Sequence, residues 1–113
     1  MTRSTIRIPL LAGGLALLAA LPAFAQTPAG SAERGKQLTY TCQGCHGVTG
    51  YKNAYPAYSV PKITGQSADY LAAALNEYRS GGRKHPTMRA QAQSFSEQDI
   101  ADIAAYLSSL KKN

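Results

Sequence analysis

The chain has 113 residues, with twelve Lys and Arg against six Asp and Glu, a formal charge of +6, and only two cysteines. That length allows one domain with a marginal core and leaves no room for a separate substrate domain. No basic helix interleaved with aromatic residues is present, which argues against nucleic acid, while a modest positive charge suits acidic protein partners or anionic surfaces.

Residues 1–25 read as a secretory signal peptide. Arg3 and Arg7 form a positive start, Leu10 to Leu21 is almost wholly apolar, and Ala23-Phe24-Ala25 supplies the small residues of a cleavage site. The apolar run is shorter than the ~20 residues of a comfortable membrane span. Cleavage is expected before Gln26, leaving no permanent membrane span and one domain over 26–113 with a net charge of +4. A leader of this kind directs the chain to the periplasm. The separation of Arg3 from Arg7 does not suggest the twin-arginine route.

Gln26 to Gly30 is a short polar tail. Ser31 is a plausible N-cap, with Glu33 in the first turn of a helix expected over about Ala32 to Tyr40. Gly35 inside it costs about 1 kcal/mol relative to alanine, and such a glycine often marks a close helix crossing. Cys42-Gln43-Gly44-Cys45-His46 follows. Cys-x-x-Cys-His is the attachment signature of c-type haem. Two thiols three apart reach the two vinyl groups on one edge of a porphyrin, and His46 is carried beneath the ring, where a neutral imidazole ligates iron. Gly44 lets a flat macrocycle approach the backbone.

Other readings of the five residues fit less well. A thioredoxin-like redox pair wants a βαβ pattern, which is absent. A Cys₂His₂ zinc site would need His85 as well as His46, with Cys45 and His46 adjacent, an unusual zinc spacing. A plain disulfide leaves His46 without a role.

From Gly47 to Pro61 the chain has two glycines, two prolines and three tyrosines with no sustained period, so it reads as an irregular loop. A loop of that length in a small domain suggests that it wraps something, here a haem face. The rings of Tyr51, Tyr55 and Tyr58 suit packing on a porphyrin, although ordinary packing is the better expectation for at least two of them. Ser67 opens the next helix, Tyr70, Leu71, Ala74, Leu75 and Tyr78 mark its buried stripe, and Gly81 closes it. Arg83 to Arg89 is a basic loop around Met88, the only methionine beyond the leader. Ser96 caps the last helix with Asp99 at its third position, Phe95 and Ile100 form a hydrophobic staple, and Ile100, Ile103, Ala104, Leu107 and Leu110 form the apolar face. The expected fold is all-α.

With Cys42-Gln43-Gly44-Cys45-His46 in front, Pro61-Lys62-Ile63-Thr64-Gly65-Gln66 in the middle and Pro86-Thr87-Met88 before a capped last helix, the chain resembles the class I c-type cytochromes. It looks most like the small soluble bacterial members, over about Ser31 to Leu110. The resemblance implies a cytochrome c fold of three to four helices packed around one covalently attached haem c. It implies that the first and last helices cross at a small residue, placing Gly35 against Ile103 or Leu107. It also implies His46 and Met88 as the two axial iron ligands, with the Pro61 carbonyl accepting from His46 Nδ1. Such proteins usually carry an aromatic one turn after the glycine. Here that position is Thr39, and the aromatic is Tyr40.

Two features of the chain itself favour Met88 over His85 as the distal ligand. Met88 lies off any apolar stripe, and Pro86 stiffens the backbone that presents it. Thioether ligation raises the potential, which suits an electron carrier. The expected function is that of a periplasmic one-electron carrier, not an enzyme, working between redox partner proteins with acidic docking surfaces. Arg83, Lys84, Arg89, Lys52 and Lys62 are the candidate docking charges. The alternatives are a haem subunit fixed in an oxidase or dehydrogenase complex, and a peroxidase or ligand sensor with a labile sixth position that His85 serves.

Overall fold

A computed structural model describes residues 28–55 and 57–112. The leader and cleavage site expected at residues 1–25 lie outside that range. Among the described residues the regular structure is entirely helical: α1 (Ala32–Leu38), α2 (Tyr40–His46), α3 (Ala68–Ser80), α4 (Pro86–Gln93) and α5 (Glu97–Ser109). The all-α expectation holds, with five helices in place of three to four. The difference comes from two short elements, α2 and α4.

The first helix starts where Ser31 Oγ accepts from the Arg34 amide at 3.4 Å, with Glu33 in the first turn. It stops at Leu38 and not at Tyr40 because Thr39 leaves helical geometry (ψ 1°). The Thr39 hydroxyl donates back to the Lys36 carbonyl at 3.0 Å, which satisfies a side chain that is fully buried. Tyr40, the next residue, begins α2 and is 76 % exposed. The small residue therefore takes the inward position and the aromatic faces solvent.

The last helix organises the core. The Ser96 amide donates to Asp99 Oδ2 at 3.0 Å and the Asp99 amide to Ser96 Oγ at 3.1 Å, a reciprocal capping box. The Ser96 amide and hydroxyl, with help from Arg34, hold the Asp99 carboxyl below its ordinary range. Along the helix Ile100, Ala101, Ile103, Ala104 and Leu107 are all buried. Ile103, Ala104 and Leu107 join Leu71 of α3 and Val48 in one cluster, against which half-buried Ile63, Leu75 and Phe95 pack. Each fully buried Ile or Leu contributes about 2 kcal/mol, whereas α2 buries no residue fully. The α5 face therefore holds the domain together, and α2 is positioned by its neighbours.

α1 crosses α5 at Gly35. A Cβ there would overlap the Asp102 carbonyl and lie 2.8 Å from Tyr106 Cβ. The expected contact with Ile103 or Leu107 is corrected by one residue. Asp102 and Tyr106 lie one turn apart on the α5 face turned to α1, whereas Ile103 and Leu107 belong to the cluster with Leu71. Asp102 is itself only 1 % exposed. Its Oδ1 accepts from the Ser31 amide at 2.7 Å and from Gln98 Nε2 at 2.9 Å, and Arg34 Nε lies 3.5 Å from Oδ2.

α3 begins at Ser67, whose hydroxyl accepts from the Tyr70 amide at 3.2 Å. It ends at Gly81, left-handed at φ 90°, a conformation that glycine adopts freely. Leu71 is its buried residue, and Ala74, Leu75 and Tyr78 are half-buried. Tyr70 is 51 % exposed, so it falls outside the expected stripe. α3 packs on both α4 and α5. Arg79 joins the end of α3 to the start of α5, with Nη2 3.3 Å from Glu97 Oε1.

Candidate haem site

α2 carries the first three site residues. Cys42 and Cys45 are three residues apart, and His46 follows Cys42 by four, so all three side chains share one helical face. Both cysteines are unpaired with each other, and all three residues are half-buried. The helix closes at Gly47, left-handed at φ 63°, whose amide donates to the Gln43 carbonyl. Val48 then enters the core with no exposed surface. That turn reverses the chain and starts the long loop.

The loop returns to α2 at two points. The Ala54 amide donates to the Gly44 carbonyl at 2.7 Å, and His46 Nδ1 lies 2.7 Å from the Pro61 carbonyl. A carbonyl accepts only, so Nδ1 carries the proton and Nε2 presents its lone pair on the opposite edge of the ring. This arrangement fixes both tautomer and ring orientation, as a metal-ligating histidine requires. A Cβ added at Gly44 would meet no atom of the rest of the protein within 4 Å beyond its chain neighbours and its own helix backbone, so the face between the two cysteines is open.

The rival readings of the motif do not assemble. A thioredoxin-like redox pair wants a βαβ unit around it, but among the described residues the regular structure is entirely helical, and burial pushes the Cys42 thiol up against a lowering hydrogen bond to Thr41. Among the described residues no three His, Cys, Asp or Glu side chains converge as a zinc site would need. An open depression of about 640 Å³ involves Lys62, Gln66 and Tyr70, and none of Cys42, Cys45, His46 or Met88 lines it. It is separate from the site.

Met88 stands on a different element. The segment expected to be a basic loop folds as α4 from Pro86 onward, so Met88 occupies the third position of a helix docked on α3. Met88 is half-buried. His85 is the N-cap: its Nδ1 accepts from the Met88 amide at 3.3 Å. Sequence reasoning missed this helix, although proline at a first helical position is a usable signal. The tyrosines also differ from expectation. Tyr51, Tyr55 and Tyr58 are 56, 59 and 72 % exposed, so none packs in the protein core, and Tyr55 and Tyr58 meet edge to face at 6.3 Å.

An all-helical shell around a Cys-x-x-Cys-His helix, with the histidine Nδ1 locked to a carbonyl, defines a protein that carries covalently attached haem. Comparison with known proteins agrees. Residues 32–111 match the family model for cytochrome c, and the chain belongs to that family. It is 48 % identical over 84 residues to cytochrome c-554(548) of Halomonas halodenitrificans, covering 72 % of this chain and 98 % of that protein. It is 33 % identical over 79 residues to the cytochrome subunit of sulfide dehydrogenase of Chlorobaculum tepidum, covering 70 % of this chain and 68 % of that protein. The crystal structure of reduced recombinant cytochrome c4 from Pseudomonas stutzeri superposes with a TM-score of 0.64 at 38 % identity, over 74 % of this chain and 47 % of that one. The chain thus spans about half the length of that cytochrome c4. It carries one haem c, held covalently through Cys42 and Cys45, and functions in electron transport.

Proposed function

We propose that the chain is a periplasmic one-electron carrier, with domain 26–113 released from a signal peptide at residues 1–25 and the haem iron ligated by His46 and Met88. When bound, the haem supplies a ferric–ferrous couple that accepts and returns one electron without bond making. The chain's residues do the rest. Cys42 and Cys45 hold the group by thioether links, His46 offers Nε2, and Pro61 keeps that ring from turning. Met88 offers a soft thioether, which favours reduced iron. His85 Nδ1 accepts from the Met88 amide, which puts the proton of the neutral ring on Nε2 and argues against that nitrogen as a second imidazole ligand. The single observation that carries this reading is the 2.7 Å contact between His46 Nδ1 and the Pro61 carbonyl. Among the described residues no helix is long and apolar enough to cross a membrane, which is compatible with a carrier released from its leader.

The first test is spectroscopic. The ferric holoprotein should show a methionine–iron charge-transfer band, and Met88→Ala should abolish it and lower the reduction potential. A band that survives Met88→Ala, or high-spin iron in the unaltered protein, would overturn the ligand assignment. The second test concerns docking. Lys52, Lys62, Lys84 and Arg89 are exposed, and Arg83 lies 4.9 Å over the Tyr78 ring. Oxidation of the ferrous protein by ferricyanide, a small anion, should slow about tenfold as ionic strength rises from ~10 mM to ~0.5 M. A rate independent of salt would show that these charges do not attract anionic partners to the haem.

A second reading, a haem subunit held in a dehydrogenase complex, draws on the likeness to the cytochrome subunit of sulfide dehydrogenase. Copurification of an intact complex from the source cells would favour it over the free carrier.

A further inference from the structure

The geometry points to His85 as the positioning residue for Met88, acting through its ring nitrogen on the Met88 backbone and not as an iron ligand. This inference rests on Met88 being the distal ligand. α4 has eight residues, too few to be stable alone. Pro86 sits at its start and no acidic side chain lies in its first turn. The fixed φ of proline favours entry into the helix, and its missing N–H leaves one fewer amide to satisfy. The side chain that caps the turn is His85, whose backbone is extended (φ −160°, ψ 108°) and whose Nδ1 takes the Met88 amide at 3.3 Å. The residue whose amide is captured is the one whose sulfur is to reach iron. Fraying this turn would therefore move the Met88 Cα and its thioether together.

Histidine does something here that the commoner caps cannot. Its ring lies edge-on to Tyr78 of α3, with centroids 6.5 Å apart at 77°, while the guanidinium of Arg83 covers Tyr78 at 4.9 Å. The cap is thereby anchored to the helix on which α4 is docked. The His85 carbonyl also accepts from the Arg89 amide at 2.8 Å, the first backbone bond of α4. One residue fastens both ends of the first turn and ties it to α3. Serine or asparagine would cap but would not reach Tyr78.

Two substitutions separate the parts of this role. His85→Leu keeps an apolar body against Tyr78 and removes the acceptor, whereas His85→Asn keeps an acceptor and removes the ring. Imidazole added to the ferric holoprotein competes with Met88 for iron, so its apparent affinity reports how firmly the thioether is held. His85→Leu should bind imidazole about fivefold more tightly than the unaltered protein and weaken the charge-transfer band, and His85→Asn should return to within about twofold. Far-UV melting of the same samples accompanies the titration. A melting change without a change in imidazole affinity would reduce His85 to a structural role and refute the proposal. So would a His85→Asn protein as loosely held as His85→Leu. Met88→Ala is the control for the underlying reading. If it binds imidazole no more tightly than the unaltered protein, Met88 is not the ligand and both inferences fall. If it binds far more tightly while His85→Leu does not, only the positioning role is lost.

Discussion

Gly35→Ala should lower the melting temperature of the holoprotein by about 12–24 °C, equivalent to roughly 3 kcal/mol in a domain of this size. Two effects oppose each other. Alanine is the better helix former by about 1 kcal/mol, so at an open position the change would stabilise α1. Here, however, the new methyl group overlaps the Asp102 carbonyl and meets Tyr106 Cβ at 2.8 Å. A backbone carbonyl in the middle of α5 cannot swing aside as a flexible side chain can. The two helices must separate, which disturbs the Ser31–Asp102 bond at 2.7 Å and the Arg34–Asp99 pair at 2.6 Å. Overpacking against backbone therefore outweighs propensity. Lys36→Ala, on an exposed position of the same helix, should stay within about 0.5 kcal/mol of the unaltered protein. If both variants melt together near the original temperature, α1 and α5 do not meet at this glycine.

That crossing also shows where reading the sequence succeeds and where it stops. Cys42, Cys45 and His46 were legible because their relation is local: three side chains on one helical face, set by spacing alone. Ser96 with Asp99, and Ser67 with Gly81, were legible for the same reason, since caps involve neighbours within a turn. The approach of Gly35 was legible as an event but not in its register. Apolar periodicity identifies the inward face of α5, yet the crossing geometry decides whether residue 102 or 103 lies opposite the glycine. The burial of Thr39 beside an exposed Tyr40 is not legible from residue type, because it depends on the threonine hydroxyl reaching the Lys36 carbonyl. α4 escaped because its cap is a histidine and its eight residues carry no apolar stripe. The irregularity of the long loop is legible from its glycines and prolines, but its return to Gly44 through Ala54 joins residues ten apart with no local signature.

The largest contribution hidden from the sequence is that of Asp102, an acidic residue set among the apolar positions of α5. Its substitution by alanine should destabilise the holoprotein by about 2–3 kcal/mol, the range for leaving buried donors without an acceptor, because the Arg34 left behind is largely exposed and keeps Asp99. The cost lies less in the missing carboxylate than in the polar groups around it that are left without an acceptor. The Ser31 amide would lose its acceptor at 2.7 Å and Gln98 Nε2 one of its two. Arg34 would keep only Asp99, at 2.6 Å. Ser31 is also the cap of α1, so the start of that helix would loosen where it meets α5. Asp102→Asn separates charge from hydrogen bonding. Its carbonyl can still accept from Ser31, but its amide would face the guanidinium of Arg34, donor against donor, and about 1–2 kcal/mol should be lost. Coupling to Arg34 is measurable by a double-mutant cycle. Arg34 is 56 % exposed and Asp102 1 %, so solvent weakens the pair, and the interaction energy should be about 1 kcal/mol, well below the cost of Asp102→Ala itself. Denaturant unfolding of the four holoproteins supplies all the terms. A coupling as large as the whole Asp102→Ala effect would mean that the ion pair dominates. A loss under 1 kcal/mol for Asp102→Ala would mean that water replaces the carboxylate at the helix crossing, and that the Ser31 cap does not depend on it.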